Sequence, residues 1–547
     1  MRAKYRIVVL GNLDPHDWSK SECFAPVMSQ MELNLMMSLA CQLKTEPKQG
    51  DFIQAFCQST LPTHEQYICK PPLGCPVTPP NTYLRLIKTL YGLKRSPRHW
   101  YEKSKKVLAS IGLHPSPNAP CLYSGTIIPG SAPLYLGMYV DDFIYFSTDP
   151  KVEKKFEVAL NLLLNVEFTG PPQYFLGLKV KCKKEDNHLS IFLSQEAAAT
   201  ELVDRAGLSD ISAKINKTPY RTGYPVDKIS AIPNLPLSVR EKIEDDLRSY
   251  VGSLNWLGTC TRPDLSTITN MLSRYLHKAT PSHISAAKYA IKYLKGTLSY
   301  GIQFTSKHNI SLEAFVKFPT DPSKVLTFTD ANWGPQDASV PKSTDAPTYL
   351  DLFKSRSISG YLIWLGGPLF WISKRQSITA HSTAEAEVYA TNECTKRLTH
   401  LQNILRDLNI TNILTSLPIN IYNDNEAAVK WSRNQTTKGL RHIQMRENAI
   451  REQYQSGQIN VLHIAGKINP SDMFTKEEKS TEHFQETRDS IMIKEEDFDS
   501  EEVYNSSNTP INPPHHNQRQ TMEKSFIPAD HPPLHRKNSS AENISKI

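Results

Sequence analysis

Apolar positions follow a strand-and-helix rhythm over two stretches of the chain and lose it in a third. Residues 1–50 predict a short strand over 5–10, a polar loop, and an apolar helix near 28–43. Residues 51–182 alternate strands and helices, with half-buried strands rich in β-formers over 134–138 and 143–146. A helix over 97–111 carries Lys and Arg on its outer face, which suits either a solvated surface or a nucleic-acid backbone. Residues 183–300 read as mostly helical, with a Pro-punctuated connector over 216–236. A second periodic block opens at Leu326: strands over 326–330, 357–365 and 369–373, a long helix over 383–408, a strand over 419–424, then helices and a last strand over 459–465. Past Lys476 the periodicity is gone. An acidic run over 494–502 precedes a segment rich in Pro, His, Asn and Ser, and residues 477–547 are expected to be disordered.

At 547 residues the chain has room for two to four domains, and 39% hydrophobic residues is a low value that agrees with a disordered part. A net charge of +8 fits a polyanionic partner without requiring one. No apolar run reaches about 18 residues, so no membrane span is expected, and Met1-Arg-Ala-Lys-Tyr-Arg6 has no signal-peptide core. The nine Cys form no CxxC pairs and are read as reduced structural thiols of a reducing compartment.

The chemistry lies in the acids. Tyr139-Val140-Asp141-Asp142 sets two carboxylates at the tip of an apolar hairpin. Asp-Asp also makes an ordinary polar turn, but a half-buried pair of like charges is costly unless a cation neutralises it. Asp51, on the short apolar strand Asp51-Phe-Ile-Gln-Ala-Phe56, would be a third ligand. In the second block Asp330 closes one strand, Asp424 closes another, and Asp472 opens a helix. A Glu comes from the long helix, where Glu385 and Glu387 lie about 200° apart around the axis. The stripe Ala390, Cys394, Leu398, Leu401, Leu405 and Leu408 extrapolates back to Glu387, unless the helix begins later and leaves Glu387 outside its regular part. Any one of these acids alone is more often a helix cap or a solvated group.

These motifs resemble the copia-type long-terminal-repeat retrotransposon Pol polyprotein. Asp51 to Phe56, Leu90-Tyr-Gly-Leu-Lys-Arg-Ser-Pro-Arg-His-Trp-Tyr101 and Tyr-Val-Asp-Asp occur in the order and at the spacings of its reverse transcriptase. Tyr174-Phe-Leu-Gly-Leu178 is similar to the segment around its primer grip. Ser249-Tyr-Val-Gly-Ser-Leu-Asn-Trp256, Thr261-Arg-Pro-Asp264 and Tyr293-Leu-Lys-Gly-Thr297 are similar to its connecting region. Phe328-Thr-Asp-Ala-Asn-Trp333, Ser373-Lys-Arg-Gln376, Ser382-Thr-Ala-Glu-Ala-Glu387, Tyr422-Asn-Asp-Asn425 and Asp472-Met-Phe-Thr-Lys476 resemble its ribonuclease H.

The resemblance implies a multidomain α+β and α/β chain. A right-hand polymerase palm with truncated fingers would span 1–182, a helical thumb and connection 183–311, a ribonuclease H-like mixed sheet 312–476, and the tail 477–547. It implies an RNA-directed DNA polymerase joined to ribonuclease H, using two Mg²⁺ (or Mn²⁺) per active site. Asp51, Asp141 and Asp142 would hold one pair, with Asp142 in support, and Asp330, Glu387, Asp424 and Asp472 the other. Phe56 falls at the family's steric gate against ribose and is also a plausible core aromatic. Lys4, Arg6 and Arg95 would meet nucleotide phosphates, Arg95 standing where the family has Gln. His442 and His463 sit near family His positions and stay outside the catalytic set. Partners would be an RNA template, a DNA primer, an RNA–DNA hybrid and dNTPs, in the cytoplasm within a virus-like particle or in the nucleus. The chain opens where the family's polymerase has already run through much of its fingers. It is therefore expected to be a fragment of a longer polyprotein or a decayed copy; the competing readings are a catalytically inactive relic that at most binds nucleic acid and a host protein that keeps only ribonuclease H.

Overall fold

Period-2 alternation buries both faces of one hairpin, Leu134–Tyr139 and Asp142–Ser147. Leu134, Leu136, Met138, Phe143 and Tyr145 enter one core; Tyr135, Ile144 and Phe146 enter another. In the computed structural model, which describes residues 7–14, 16–72, 82–210, 214–220, 236–334, 356–410, 417–433, 449–476 and 480–500, this hairpin centres a six-stranded sheet. Its order is His114–Pro115, Leu122–Gly125, Leu134–Tyr139, Asp142–Ser147, Lys48–Phe52, Val166–Gly170, antiparallel throughout. Helices Ser96–Ser110 and Pro150–Leu163 supply Trp100, Leu108, Phe156 and Leu160 to one core. Helix Gln30–Gln42 covers the other face, where Gly137 has no side chain to keep Met28 and Met36 away. Residues 7–10, expected in a strand, are irregular and tied by Val9 N–H to the Tyr91 carbonyl at 2.8 Å.

The start of the expected helical region, 183–300, is corrected. Leu178–Glu185 and His188–Ser194 form an antiparallel hairpin, so a domain boundary at 182/183 would cut through paired strands. The hairpin belongs to a five-stranded sheet ordered Ile493–Lys494, Tyr300–Thr305, His188–Ser194, Leu178–Glu185, Tyr174–Phe175. Helices Glu196–Arg205, Leu237–Cys260, Ser266–Ser273 and Pro281–Lys295 follow as expected. Residues 221–235 of the connector lie outside the described residues.

A third sheet runs Pro368–Arg375, Ile358–Trp364, Leu326–Asn332, Ile419–Asn423, Ile459–His463. Its first three strands are antiparallel, and the last two run parallel to Leu326–Asn332. Helix Thr383–Asp407 buries its stripe from Ala390 to Leu405 against it. Helix Gln30–Gln42 reaches this sheet as well: Asn34 Nδ2 donates to the Leu369 carbonyl (3.1 Å) and Ser38 Oγ to that of Leu365 (2.5 Å).

The disordered tail is also corrected over 480–500. Thr481–Ile491 is a helix that buries Phe484, Thr487, Arg488 and Ile491, and Ile493–Lys494 pairs with Tyr300 and Gly301. Composition concealed this, because the helix is mostly polar and is held by a few buried groups: Arg488 donates to the Tyr300 hydroxyl at 2.9 Å. Residues 501–547 lie outside the described residues. The described residues up to Asp499 group into one compact unit.

Candidate metal centres

Strand Leu326–Asn332 carries Asp330 into a crowded interior, because its register partner Gly360 leaves room for the next layer. A Cβ on Gly360 would stand 2.6 Å from Thr475 Cγ2 and 2.8 Å from Phe474 Cβ. That gap admits the 3₁₀ turn Pro470–Phe474. Asn469 at its start donates to the Thr329 carbonyl (3.0 Å), and the Thr475 hydroxyl donates to the Asp330 carboxylate. Asp424 follows strand Ile419–Asn423, whose parallel pairing beside Leu326–Asn332 brings both acids to the same end of the sheet.

Helix Thr383–Asp407 places its two glutamates in different surroundings. Ser382 is the N-cap, accepting from Glu385 N–H at 3.1 Å, and the Glu385 carboxylate accepts from His381 N–H at 2.6 Å. Glu385 is thus spent on the helix start. Glu387, two residues on and on the other side of the helix, meets Asp330 and Asp424: one ligand atom from each of the three lies within 4.8 Å of the others. Asn423 Nδ2 donates to Glu387 Oε2 at 2.9 Å and fixes its rotamer.

Electrostatics sets this group apart. Burial first, then the charges of Asp330 and Asp424, push Glu387 well above the ordinary carboxylate range. Burial and Asp330 raise Asp424 to about 6 and Asp472 to about 8, with Lys476 opposing both shifts. Lys476 Nζ stands 2.8 Å from Asp472 Oδ2. Burial disfavours this ammonium, but Asp330, Asp472 and Asp424 outweigh it and raise its pKa. Asp424 Oδ1 and Asp472 Oδ1 are buried with no hydrogen-bond partner. Crowded, under-satisfied carboxylate oxygens are the donor set of a hard divalent cation. Lys476 lies four residues after Asp472, a spacing visible in the sequence that puts its ammonium within reach of the carboxylate.

The first three acids are arranged differently. Asp51 and Asp142 are direct cross-strand partners, so both side chains leave the same face of the sheet. Asp141 is in the two-residue turn, beside Val140 at φ +56°, a strained setting for a β-branched residue. Trp100 Nε1 donates to the Val140 carbonyl at 2.6 Å and clamps this turn. Among the described residues, Asp330, Glu387 and Asp424 form the one group of three or more potential ligands within 4.8 Å, so Asp51, Asp141 and Asp142 are neighbours without full convergence.

Phe56 is half-buried in the 3₁₀ turn Ala55–Gln58, its ring 4.9 Å from that of Tyr91. Arg95 has work other than that expected of it: it pairs with buried Glu65, which His99 also approaches at 3.0 Å, and lies 4.5 Å over the Trp18 ring. Lys4, Arg6 and His442 lie outside the described residues. His463 Nε2 is 3.1 Å from the Asp424 carbonyl, beside the cluster but outside it. Unforeseen in the sequence, a cavity of about 560 Å³ between the third sheet and its long helix is lined by Tyr361, Lys374, Arg375, Lys396, Arg397 and His400. Its signal was helical spacing: Tyr389, Glu393, Lys396, Arg397 and His400 share one face.

Residues 1–220 match the family described as reverse transcriptase (RNA-dependent DNA polymerase). The chain is 30% identical over 479 residues to the retrovirus-related Pol polyprotein from transposon RE2 of Arabidopsis thaliana, covering 87% of this chain and 30% of that protein. It is 29% identical over 482 residues to the corresponding polyprotein from transposon TNT 1-94 of Nicotiana tabacum, covering 87% and 33%. It thus spans about a third of the length of these relatives. Among solved structures, a foamy viral protease-reverse transcriptase in complex with double-stranded DNA matches with a TM-score of 0.41 at 14% identity, over 80% of this chain and 59% of that one.

Proposed function

This chain is a relative of the copia-type retrotransposon Pol polyproteins, and we propose that it couples an RNA-directed DNA polymerase to a ribonuclease H. The observation that carries the nuclease half is the convergence of buried Asp330 and Glu387 with half-buried Asp424. The polymerase half is supported by the family match over 1–220 and by the pairing of Asp51 with Asp142 beside Asp141. Partners would be an RNA template, a DNA primer, dNTPs and an RNA–DNA hybrid, and the cationic cavity beside Tyr361 supports a phosphodiester ligand.

Asp330, Glu387 and Asp424, with Asp472, would hold Mg²⁺ or Mn²⁺ in one centre, and Asp51, Asp141 and Asp142 in the other. Bound there, the cation would supply Lewis acidity toward a phosphoryl oxygen and lower the pKa of an attacking water or primer 3′-hydroxyl. The chain's own groups do the positioning. Asn423 aims Glu387, Thr475 orients Asp330, and Lys476 balances part of the negative charge through Asp472. Trp100 holds the turn that presents Asp141. Phe56, if it serves as the sugar gate, does so from a seat against Tyr91. Asp330 and Asp424 at the sheet end would face the scissile phosphate of the RNA strand, and choosing RNA requires contacts to 2′-hydroxyls.

The incomplete convergence of Asp51, Asp141 and Asp142 favours a second reading, in which the nuclease alone turns over. Two assays on one preparation of the full chain separate the readings: cleavage of a labelled RNA–DNA hybrid, and extension of a DNA primer on RNA, each in Mg²⁺. Both activities support the first reading, cleavage alone the second, and loss of both rejects the two together.

A further inference from the structure

We propose that Lys179, Lys181 and Lys183 form a stripe that binds a nucleic-acid phosphodiester backbone, and that the acidic segment Glu495–Ser500 covers it as an internal competitor. The three lysines alternate along strand Leu178–Glu185, so they leave one face of the sheet at intervals of about 6.6 Å. The opposite face already supplies the core through Leu178 and Val180, so packing does not demand three ammonium groups in a row. Like charges at that spacing repel unless an anion lies over them.

The chain lays its own anion there. Glu495 is 2.6 Å from Lys179 and 2.7 Å from Lys181, Asp499 is 2.7 Å from Lys181, and Lys183 donates to the Phe498 carbonyl at 3.3 Å. The cover is seated by two small attachments. Ile493–Lys494 adds a two-residue strand beside Tyr300 and Gly301. Phe498 stacks on Phe192, centroids 5.5 Å apart, on the same sheet face as Lys181. Other acids reach the ends of the stripe: Glu196 is 3.5 Å from Lys179 and Glu185 is 3.2 Å from Lys183. The ion pairs of central Lys181 go to Glu495 and Asp499, so removing the cover exposes the middle of the stripe. A short anchored segment carrying carboxylates over alternating lysines occupies the place of a strand of phosphates, and a polyanion with more charges can displace it.

The inference rests on the reading that the chain handles nucleic acid, and the test separates the two. Binding of a fluorescent RNA–DNA hybrid and of single-stranded DNA is measured by anisotropy across a salt series. The proteins are the full chain, the double variant Glu495→Gln/Asp499→Asn, and Phe498→Ala, which keeps the charges but unseats the segment. Both variants should bind about tenfold more tightly at low salt, with a log K against log salt slope steeper by about 1–3. Adding Lys181→Ala to the double variant should remove most of the gain. A gain on both probes marks backbone recognition, and a gain on one names the strand type the stripe takes. Wild-type binding with no gain in either variant overturns the masking and leaves the nucleic-acid reading standing. Failure of every protein to bind either probe overturns both.

Discussion

The two acid centres of this molecule sit at opposite extremes of the same chemical problem. In the third sheet, buried Asp330 and Glu387 and half-buried Asp424 are pressed together, and burial and neighbouring carboxylates shift Glu387 and Asp424 upward. In the first sheet, Asp51, Asp141 and Asp142 are half-exposed at a turn and do not converge. The first site stores like-charge repulsion in a rigid frame of sheet, helix and 3₁₀ turn. The second stores backbone strain at Val140 and keeps its carboxylates half-exposed. A pre-assembled site of this kind should gain stability from a cation that enters it, and a turn-borne one should depend on its clamp for geometry.

The largest effect expected is on the buried centre. Asp424→Asn replaces an anionic ligand with a neutral amide and should bring Mg²⁺-dependent hybrid cleavage below detection while primer extension continues. Cleavage by Asp424→Asn near the wild-type rate would break the contrast at once. Gly360→Ala drives a methyl into Thr475 and Phe474, moving the turn that carries Asp472. It should cost about 1–3 kcal/mol in denaturant unfolding and slow cleavage, whereas a neutral result would mean that the turn is free to shift.

The pH dependence has a definite sign. Asp424 and Asp472 rise from 3.8 to about 6 and about 8, so between those limits the folded chain holds protons that the unfolded chain has released. Their contribution is complete below 3.8 and is lost as pH rises through the folded values, so metal-free stability should fall from pH 5 to pH 8. Saturating Mg²⁺ should raise Tm at pH 8 and barely change it at pH 5. Equal Tm shifts at both pH values would deny that these acids receive the ion.

Trp100→Phe deletes one hydrogen bond to the strained turn, worth about 1 kcal/mol. Primer extension should weaken several-fold with hybrid cleavage unchanged, and parallel losses in both would mean that the two centres share their support. The smallest effect belongs to Glu385→Gln, which touches a helix start and should keep at least about a tenth of cleavage, where Glu387→Gln keeps none.

How much of this was legible depended on what kind of signal each part carried. The third sheet could be read from its apolar runs, two of which lead to an acid, Asp330 and Asp424, and helical phase pointed to Glu387, the glutamate that lies beside them. The hairpin Leu178–Glu185 with His188–Ser194 carried a signal that was overlooked: Leu178, Val180 and Cys182 alternate with three lysines. Helix Thr481–Ile491 was hidden by composition, since its stability comes from contacts to Tyr293 and Tyr300, nearly 200 residues away in sequence. The pairing of Arg95 with Glu65 was not legible, because Glu65 lies in a loop 30 residues earlier. Local patterns show elements, and they do not show which distant group a charge will meet.

Helix Gln30–Gln42 is buried along almost its whole length, and its polar side chains reach two different sheets: Asn34 and Ser38 to the third, Cys41 and Gln42 to carbonyls of Phe304 and Thr305 in the second. It behaves as a keystone set early in the chain and loaded by everything that follows. A crossover that joined the front of one such chain to the back of a diverged cousin would bring together a wedge and a socket with different histories. The sequence around this helix and that of the third sheet are therefore expected to be inherited as a matched pair, with drift around Asn34 and Ser38 answered by drift around Leu365 and Leu369.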